Sequence, residues 1–223
     1  NHAQMRQEFT ANVSHELKTP LTAISGYAEL IASGMTGGED TVHFANEIHK
    51  SAERLQSLIN DIIKLSELDD SDLKLEFETV DLHELGEQCV SSMQMQAEKN
   101  EVTLQLEGTS VPMSGNKTLL EELLFNLCSN AVRYNKKGGS VTIVTAIENT
   151  RPVLIVKDTG IGIPKEQQER VFERFYRVDK SRSKSTGGTG LGLAIVKHIV
   201  AQHDAQISMT SEVGVGTEIK VVF

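Results

Sequence analysis

Residues 9–30 read FTANVSHELKTPLTAISGYAEL, and the spacing of their apolar side chains decides what this half of the chain builds. With each residue advanced about 100° around a helix, Leu17, Leu21, Ile24, Ala28 and Ile31 recur at intervals of 4, 3, 4 and 3 and form one narrow stripe. Ala45, Ile48, Ala52, Leu55, Ile59 and Ile62 repeat at 3, 4, 3, 4 and 3. Stripes this narrow are seams of a bundle or coiled coil, not faces of surface helices on a larger globule. SGMTGGED (33–40) between them is a short Gly-rich turn, so the two helices form an antiparallel hairpin. A lone hairpin cannot bury both seams, and a second copy completing a four-helix bundle is the economical solution.

On the same wheel His15 lies nearly opposite the seam, with Thr19 close to it on the polar face and Glu16 beside it. A histidine there has no packing role. A nucleophilic imidazole needs one nitrogen free and a base that takes the proton from the other as the new bond forms. Glu16 supplies such a base. Pro20 removes a helical hydrogen bond one turn later and permits a bend beside the reactive side chain.

Composition narrows the function classes. A net charge of −9 over 223 residues argues against a general nucleic-acid binder. No apolar run approaches the roughly 18 residues of a membrane span, and no signal-peptide pattern is present. The opening NHAQMRQEF already reads as helix interior, the mark of a piece cut from something longer. Cys89 and Cys128 lie far apart within helical patterns and read as reduced packing residues of an intracellular protein. His43, His49, His83, His198 and His203 make no metal spacing with them, and Met93 and Met95 read as core filler.

The second half alternates strand and helix patterns. LKLEFETV (73–80) places Leu73, Leu75 and Phe77 on one face, a linker strand. Asp81 and Glu84 suit a capping box for a helix running to about Glu98. VTLQLEG reads as a strand and 116–135 as a long helix. SVTIVTAIEN and PVLIVKD read as adjacent strands, the second so continuously apolar that it is central. A helix from about Leu191 to His203 and two strands, AQISMTS and TEIKVVF, close the chain. The expected fold is therefore α plus α/β: a helical hairpin over residues 1–68, a linker over 69–80, and a mixed sheet covered by helices on one face over 81–223.

At FTANVSHELKTPL the chain resembles the phospho-acceptor box of two-component sensor histidine kinases, in the class whose motif reads His-Glu-x-x-Thr-Pro. The rest resembles that family's Bergerat-type ATP-binding domain, in order. NLCSNAVRYN (126–135) is similar to its asparagine box and DTGIGIP (158–164) to its first glycine box. FERFYR (172–177) matches the phenylalanine box, GGTGLGLAIV (187–196) the second glycine box and GVGTEIKV (214–221) the closing strand motif. The resemblance covers essentially the whole chain, with five motifs in register.

Each motif has its own chemistry. Asn126 and Asn130 share a helix face at i and i+4, and amide oxygens are suitable hard ligands for Mg²⁺, although paired asparagines can equally face solvent. The resemblance implies Asn130 as the Mg²⁺ ligand, with Arg133 or Tyr134 near the nucleotide. It makes Asp158 the acceptor for the adenine amine, flanked by Gly160, Gly162 and Ile163. It also places Gly188, Thr189, Gly190, Leu191 and Gly192 at the phosphates, where free N–H groups at a helix N-terminus meet anions. No Gly-Lys-Ser/Thr follows, so this is not a Walker loop, and no strand precedes it as in a Rossmann fingerprint. Arg170, Arg174, Arg177, Lys180, Arg182 and Lys184 fall in the segment resembling the ATP lid, with Arg177 the choice for a γ-phosphate contact and Phe172 and Phe175 as lid anchors. QHDAQI (202–207) departs from the family's usual His-Gly-Gly turn.

The implied activity is a protein-histidine kinase. ATP with Mg²⁺ phosphorylates His15, Glu16 acts as base, and the phosphoryl group passes to an aspartate of a response regulator, with Thr19 positioning water for the reverse dephosphorylation. The implied partners are a second copy and a response-regulator receiver domain. No nucleic acid is expected. The implied location is the cytoplasmic domain of a membrane-bound bacterial sensor, whose sensor portion is absent from this chain. The rivals are an ATPase on the same nucleotide fold without phosphotransfer and a catalytically inactive dimerising scaffold.

Overall fold

The computed structural model describes residues 2–70, 74–178 and 187–223, with the backbone alone for residues 2–6. The chain forms two compact units, residues 1–64 and 65–223.

In the first unit α1 (His2–Ala32) and α2 (Glu39–Leu68) form the expected hairpin, and the last turn of α2 belongs to the second unit. Two contacts fix its antiparallel register. The rings of Tyr27 and Phe44 lie 5.3 Å apart, and Glu16 faces Arg54. Glu16 stands eleven residues before Tyr27 and Arg54 ten residues after Phe44, as two helices of equal rise running in opposite directions require. α1 continues as helix through Pro20, whose side chain is buried. Leu21 and Ile59, both on the seams, remain 55% and 42% exposed in the single hairpin. Among the described residues no helix is long and apolar enough to cross a membrane.

The second unit is an α/β sandwich. Its sheet contains β2 (Thr103–Gly108), β4 (Ser140–Glu148), β5 (Arg151–Asp158), β6 (Gln206–Glu212) and β7 (Gly216–Val222) in the order β2-β4-β5-β7-β6. β2 and β4 run parallel and the other neighbours antiparallel. β5 is the middle strand, as its apolar run implies. Burial alternates along β4, with Val141, Ile143 and Thr145 inaccessible. The sheet packs against α3 (Leu82–Lys99), α4 (Lys117–Arg133) and α5 (Gly192–Gln202), and α4 lies against both other helices. Leu120, Leu123 and Leu124 of α4 and Ile195 and Ile199 of α5 form the centre of this core. Asp81 and Asn116 cap α3 and α4, accepting from His83 N at 2.9 Å and Leu119 N at 3.0 Å. A cap of this kind contributes about 1 kcal/mol.

Two expectations are corrected here, and one departure from the family pattern is explained. The linker strand is only β1 (Glu78–Asp81), because the segment that pairs with it is the four-residue β3 (Pro112–Gly115) and alternation without a neighbour makes no strand. Phe77 accordingly is half exposed and stacks on His203 at 5.0 Å, while Leu73 lies outside the described residues. Met93 is core filler but Met95 is 84% exposed, since two residues on a helix turn by about 200° and cannot share a face. The QHDAQI turn needs no glycine: Asp204 takes the left-handed conformation (φ 50°), and Ala205 N donates to Val200 O at 3.0 Å to close α5.

Candidate functional site

The site in the second unit grows from the end of β5. Asp158 Oδ1 accepts from Gly160 N at 2.8 Å and from Thr217 N at 3.2 Å. Burial pushes the Asp158 carboxyl above its ordinary value, and those two donors oppose the shift. The loop after it is tightly held. Ile161 N donates to Tyr134 O at 3.1 Å, and Ile163 N donates to Ser211 Oγ at 2.8 Å. Gln168 Nε2 donates to Ile163 O and Ser211 O, both at 3.0 Å. A Cβ on Gly160 would stand 2.4 Å from Tyr134 O, so only glycine lets this loop press against the end of α4. Gly162 adopts φ 71° at the next turn.

α4 and the N-terminus of α5 form the other wall. A Cβ on Gly192 would lie 3.3 Å from Asn126 Oδ1 and 4.0 Å from Asn130 Nδ2, which puts both asparagines beside the first residue of α5. Arg133 Nη1 donates to Asn130 Oδ1 at 3.2 Å. A Cβ on Gly188 would be 3.1 Å from Tyr134 Oη and 3.5 Å from Arg133 Nη1. Arg177 Nη2 donates to Gly188 O at 2.6 Å, and Phe175 N donates to Gly190 O at 2.8 Å. Thr189 Oγ1 accepts from Leu191 N at 3.1 Å. Leu191 itself is fully buried, so its side chain anchors the loop and only its backbone can face a ligand. Asn126, Asn130, Arg133, Tyr134, Asp158, Gly160, Arg177, Gly188, Gly190 and Gly192 thus form one contiguous surface.

The other basic residues of the segment have different partners. Arg170 pairs with Glu173 and lies 4.3 Å over the Tyr176 ring. Arg174 Nη2 reaches both oxygens of Asp69 at 2.8 Å and lies 3.2 Å from His198 Nε2. Lys180, Arg182 and Lys184 lie outside the described residues. Thr217 and Ser211, which hold the Asp158 loop, escaped the sequence reading because their partners lie 59 and 48 residues away, and Gln168 because its role is to tie Ile163 to Ser211, 43 residues further on.

In the first unit His15 and Thr19 are exposed, and Thr19 Oγ1 donates to His15 O at 3.3 Å. Glu16 does not stay with them on the polar face. It is half buried and turns to Arg54 of α2, at 3.9 Å. Both cysteines are free and buried. Among the described residues no group of three or more His, Cys, Asp or Glu side chains could hold a metal.

The phospho-acceptor family model described as His Kinase A matches residues 5–71, and that of the histidine kinase-, DNA gyrase B- and HSP90-like ATPases matches residues 115–223. The chain belongs to the sensor histidine kinases. The sensor-like histidine kinase SenX3 of Mycolicibacterium smegmatis is 39% identical over 220 residues, covering 97% of this chain and 57% of that protein. The sensor histidine kinase WalK of Bacillus subtilis is 38% identical over 220 residues, covering 97% and 36%. The chain therefore spans about half the length, or less, of the curated relatives it matches. In fold it is similar to the histidine kinase AdeS of Acinetobacter baumannii (TM-score 0.77, 23% identity, 94% of this chain and 96% of that one). It is also similar to the histidine kinase ThkA solved with the response regulator TrrA (TM-score 0.81, 23% identity, 100% and 62%).

Proposed function

We propose that this chain binds ATP between α4, the Asp158 loop and the N-terminus of α5, and transfers the γ-phosphoryl group to His15. The observation that carries the reading is the union, in one chain, of an exposed histidine in a His-Glu-x-x-Thr-Pro helix with an assembled pocket of glycine backbone, amide, guanidinium and carboxylate groups. Asp158 accepts the adenine amine through Oδ2, its Oδ1 being held by Gly160 and Thr217. The eleven-residue α5 presents its first N–H groups to the phosphates. Arg177 exchanges Gly188 O for the γ-phosphate, and Arg133 steadies Asn130.

Asn126 and Asn130 offer amide oxygens and no carboxylate, a donor set that fits Mg²⁺, which retains most of its water and takes few protein ligands. Bound there through Asn130, the ion would neutralise phosphate charge. Transfer of this kind rests on alignment and charge neutralisation more than on covalent chemistry by the protein. One imidazole nitrogen attacks phosphorus, the P–O bond to ADP breaks, and Glu16 takes the proton from the other nitrogen. The phosphoramidate then passes to an aspartate of a response regulator, a class of partner supported by the ThkA complex. Thr19, one turn from His15, positions water for dephosphorylating that regulator. A second copy covers the exposed seam at Leu21 and Ile59 as a homodimeric four-helix bundle. The relatives are named sensors, and we take this chain to be the kinase core of such a sensor, on the cytoplasmic side of a membrane-bound one.

The test is transfer. Chain labelled from γ-labelled ATP and freed of nucleotide is mixed with receiver domains of two-component regulators. Movement of label to a receiver aspartate, lost when that aspartate is replaced by alanine, is the expected result. Phosphate released from ATP with no label on either protein would favour a plain ATPase of the same fold.

A further inference from the structure

The end of α2 belongs to the second unit, and more than apolar contact holds it there. Leu65 and Leu68 are buried, and Gln202 of α5 donates through Nε2 to Leu68 O at 3.5 Å. Asp69 follows at once. The last turn of α2 carries no basic residue, and a carboxylate at a helix C-terminus meets the negative end of the macrodipole. Asp69 therefore needs a cation from elsewhere, and Arg174 supplies it, with Nη2 reaching both carboxylate oxygens at 2.8 Å. His198 of α5 completes the group, its Nε2 lying 3.2 Å from Arg174 Nη2 and 3.4 Å from Asp69 Oδ1. A guanidinium cannot accept a hydrogen bond, so His198 Nε2 accepts and the ring is neutral. Burial, which lowers the His198 pKa, favours that form.

The residue after Arg174 is strained. Phe175 adopts φ 63°, a left-handed conformation that bulky side chains rarely take and that persists only where the surroundings impose it. Its N–H donates to Gly190 O at 2.8 Å, and a Cβ on Gly190 would stand 3.1 Å from Phe175 Cα. The glycine-rich loop before α5 is thus laid against the backbone of Phe175. We propose that Asp69 is a positioning residue for nucleotide binding, holding Phe175 in its left-handed conformation through Arg174 and so fixing Gly190 and the loop that meets the phosphates; this rests on the ATP reading above. Without the Asp69–Arg174 pair, Phe175 relaxes toward negative φ, its N–H turns from Gly190 O, and the loop loses the shape that receives phosphate. The end of a bundle helix thereby sets the affinity of the nucleotide site. Both partners are partly exposed, so the pair adds little to folding itself.

Calorimetric titration of the intact chain with Mg²⁺ and a non-hydrolysable ATP analogue tests this, using Asp69→Ala, Arg174→Met and Arg174→Lys, with Asp69→Ala repeated in a Phe175→Gly background. Asp69→Ala and Arg174→Met each weaken binding about fivefold, and together they weaken it no further, because they break one link. Arg174→Lys keeps the charge and stays within about twofold of wild type. Glycine takes φ 63° without strain, so in the Phe175→Gly background Asp69→Ala costs less than about twofold. The unliganded melting temperature of Asp69→Ala stays within about 3 °C of wild type. A loss below about twofold for Asp69→Ala, or an equal loss with glycine at 175, would overturn the proposal. So would a loss of affinity that tracks a lower melting temperature, which marks a merely structural pair. If Arg174→Met does not fold, Asp69→Ala in the two backgrounds decides alone, and if Phe175→Gly binds no analogue, Phe175→Asn, which tolerates the left-handed region, replaces it. Wild-type chain that binds no analogue would sink the nucleotide reading itself, whereas wild type that binds beside unaffected Asp69 and Arg174 variants sinks only the positioning role.

Discussion

Replacing Asp158 by asparagine separates binding from folding, because the two Asp158 oxygens have different roles. Oδ1 accepts from Gly160 and Thr217, and an asparagine Oδ1 in the same place keeps both bonds. Oδ2 becomes an N–H₂ group, so a donor meets the exocyclic amine of adenine where an acceptor stood. A hydrogen bond to a charged group is worth about 1.5–3 kcal/mol, and each 1.4 kcal/mol is tenfold in affinity. Asp158→Asn therefore weakens ATP binding by roughly 10- to 150-fold. Folding responds in the opposite sense. Burial raises the Asp158 carboxyl above its ordinary value, so the folded state holds that proton more tightly than the unfolded chain does. The stability it allows is complete below the unfolded value and declines as pH rises through the folded one. Near neutral pH the ionised side chain is thus a liability that asparagine removes. Unliganded Asp158→Asn melts at or above the wild-type temperature. Calorimetric titration with a non-hydrolysable ATP analogue and a thermal melt read the two effects. An affinity within about threefold of wild type, or a melting temperature lowered by more than about 5 °C, would refute this assignment of the oxygens.

Other outcomes follow from the same geometry. Gly160→Ala brings a Cβ to 2.4 Å from Tyr134 O and parts the Gly160–Asp158 and Ile161–Tyr134 bonds, so nucleotide affinity falls at least about tenfold in the same titration. Asp81→Ala removes an acceptor for His83 N, Val111 N and Ser110 Oγ and destabilises the second unit by about 2–3 kcal/mol, measured by chemical denaturation. His203 donates through Nδ1 to Ile199 O and accepts at Nε2 from Asn116 N, a neutral tautomer, and burial lowers its pKa. Its contribution is present above the unfolded value of about 6.5 and lost as pH falls through the lower folded value. The melting temperature therefore declines on acidification below about pH 6.5, and more shallowly in His203→Gln; an equal slope in both proteins would contradict this.

Long periodic elements were legible without coordinates. The two seams announced the hairpin, and the continuous apolar run PVLIVKD marked β5 as the middle strand. Short pairings were not. β3 is PMSG, with a proline, a glycine and no alternation, and it is a strand only because β1 lies beside it. The site was read from residue types at fixed local offsets, as with Asn126 and Asn130 or Gly188, Gly190 and Gly192, because each set lies within one turn or loop. Its supporting residues had no local signature. Thr217 reaches Asp158 from the far end of the chain, and Arg54 meets Glu16 across 38 positions, so only the folded hairpin shows that Glu16 leaves the polar face. Asp204 shows the same limit in a turn, taking a left-handed conformation usually left to glycine.

The central claim is that the nucleotide bound by the second unit phosphorylates His15, and its most direct test is the label itself. The chain and its His15→Gln variant are incubated with Mg²⁺ and γ-labelled ATP, and the labelled protein is then exposed to acid and to alkali. Label lost in acid, kept in alkali and missing from His15→Gln is the predicted result. Label that survives acid, or that persists on the variant, would place the phosphate elsewhere and contradict the account.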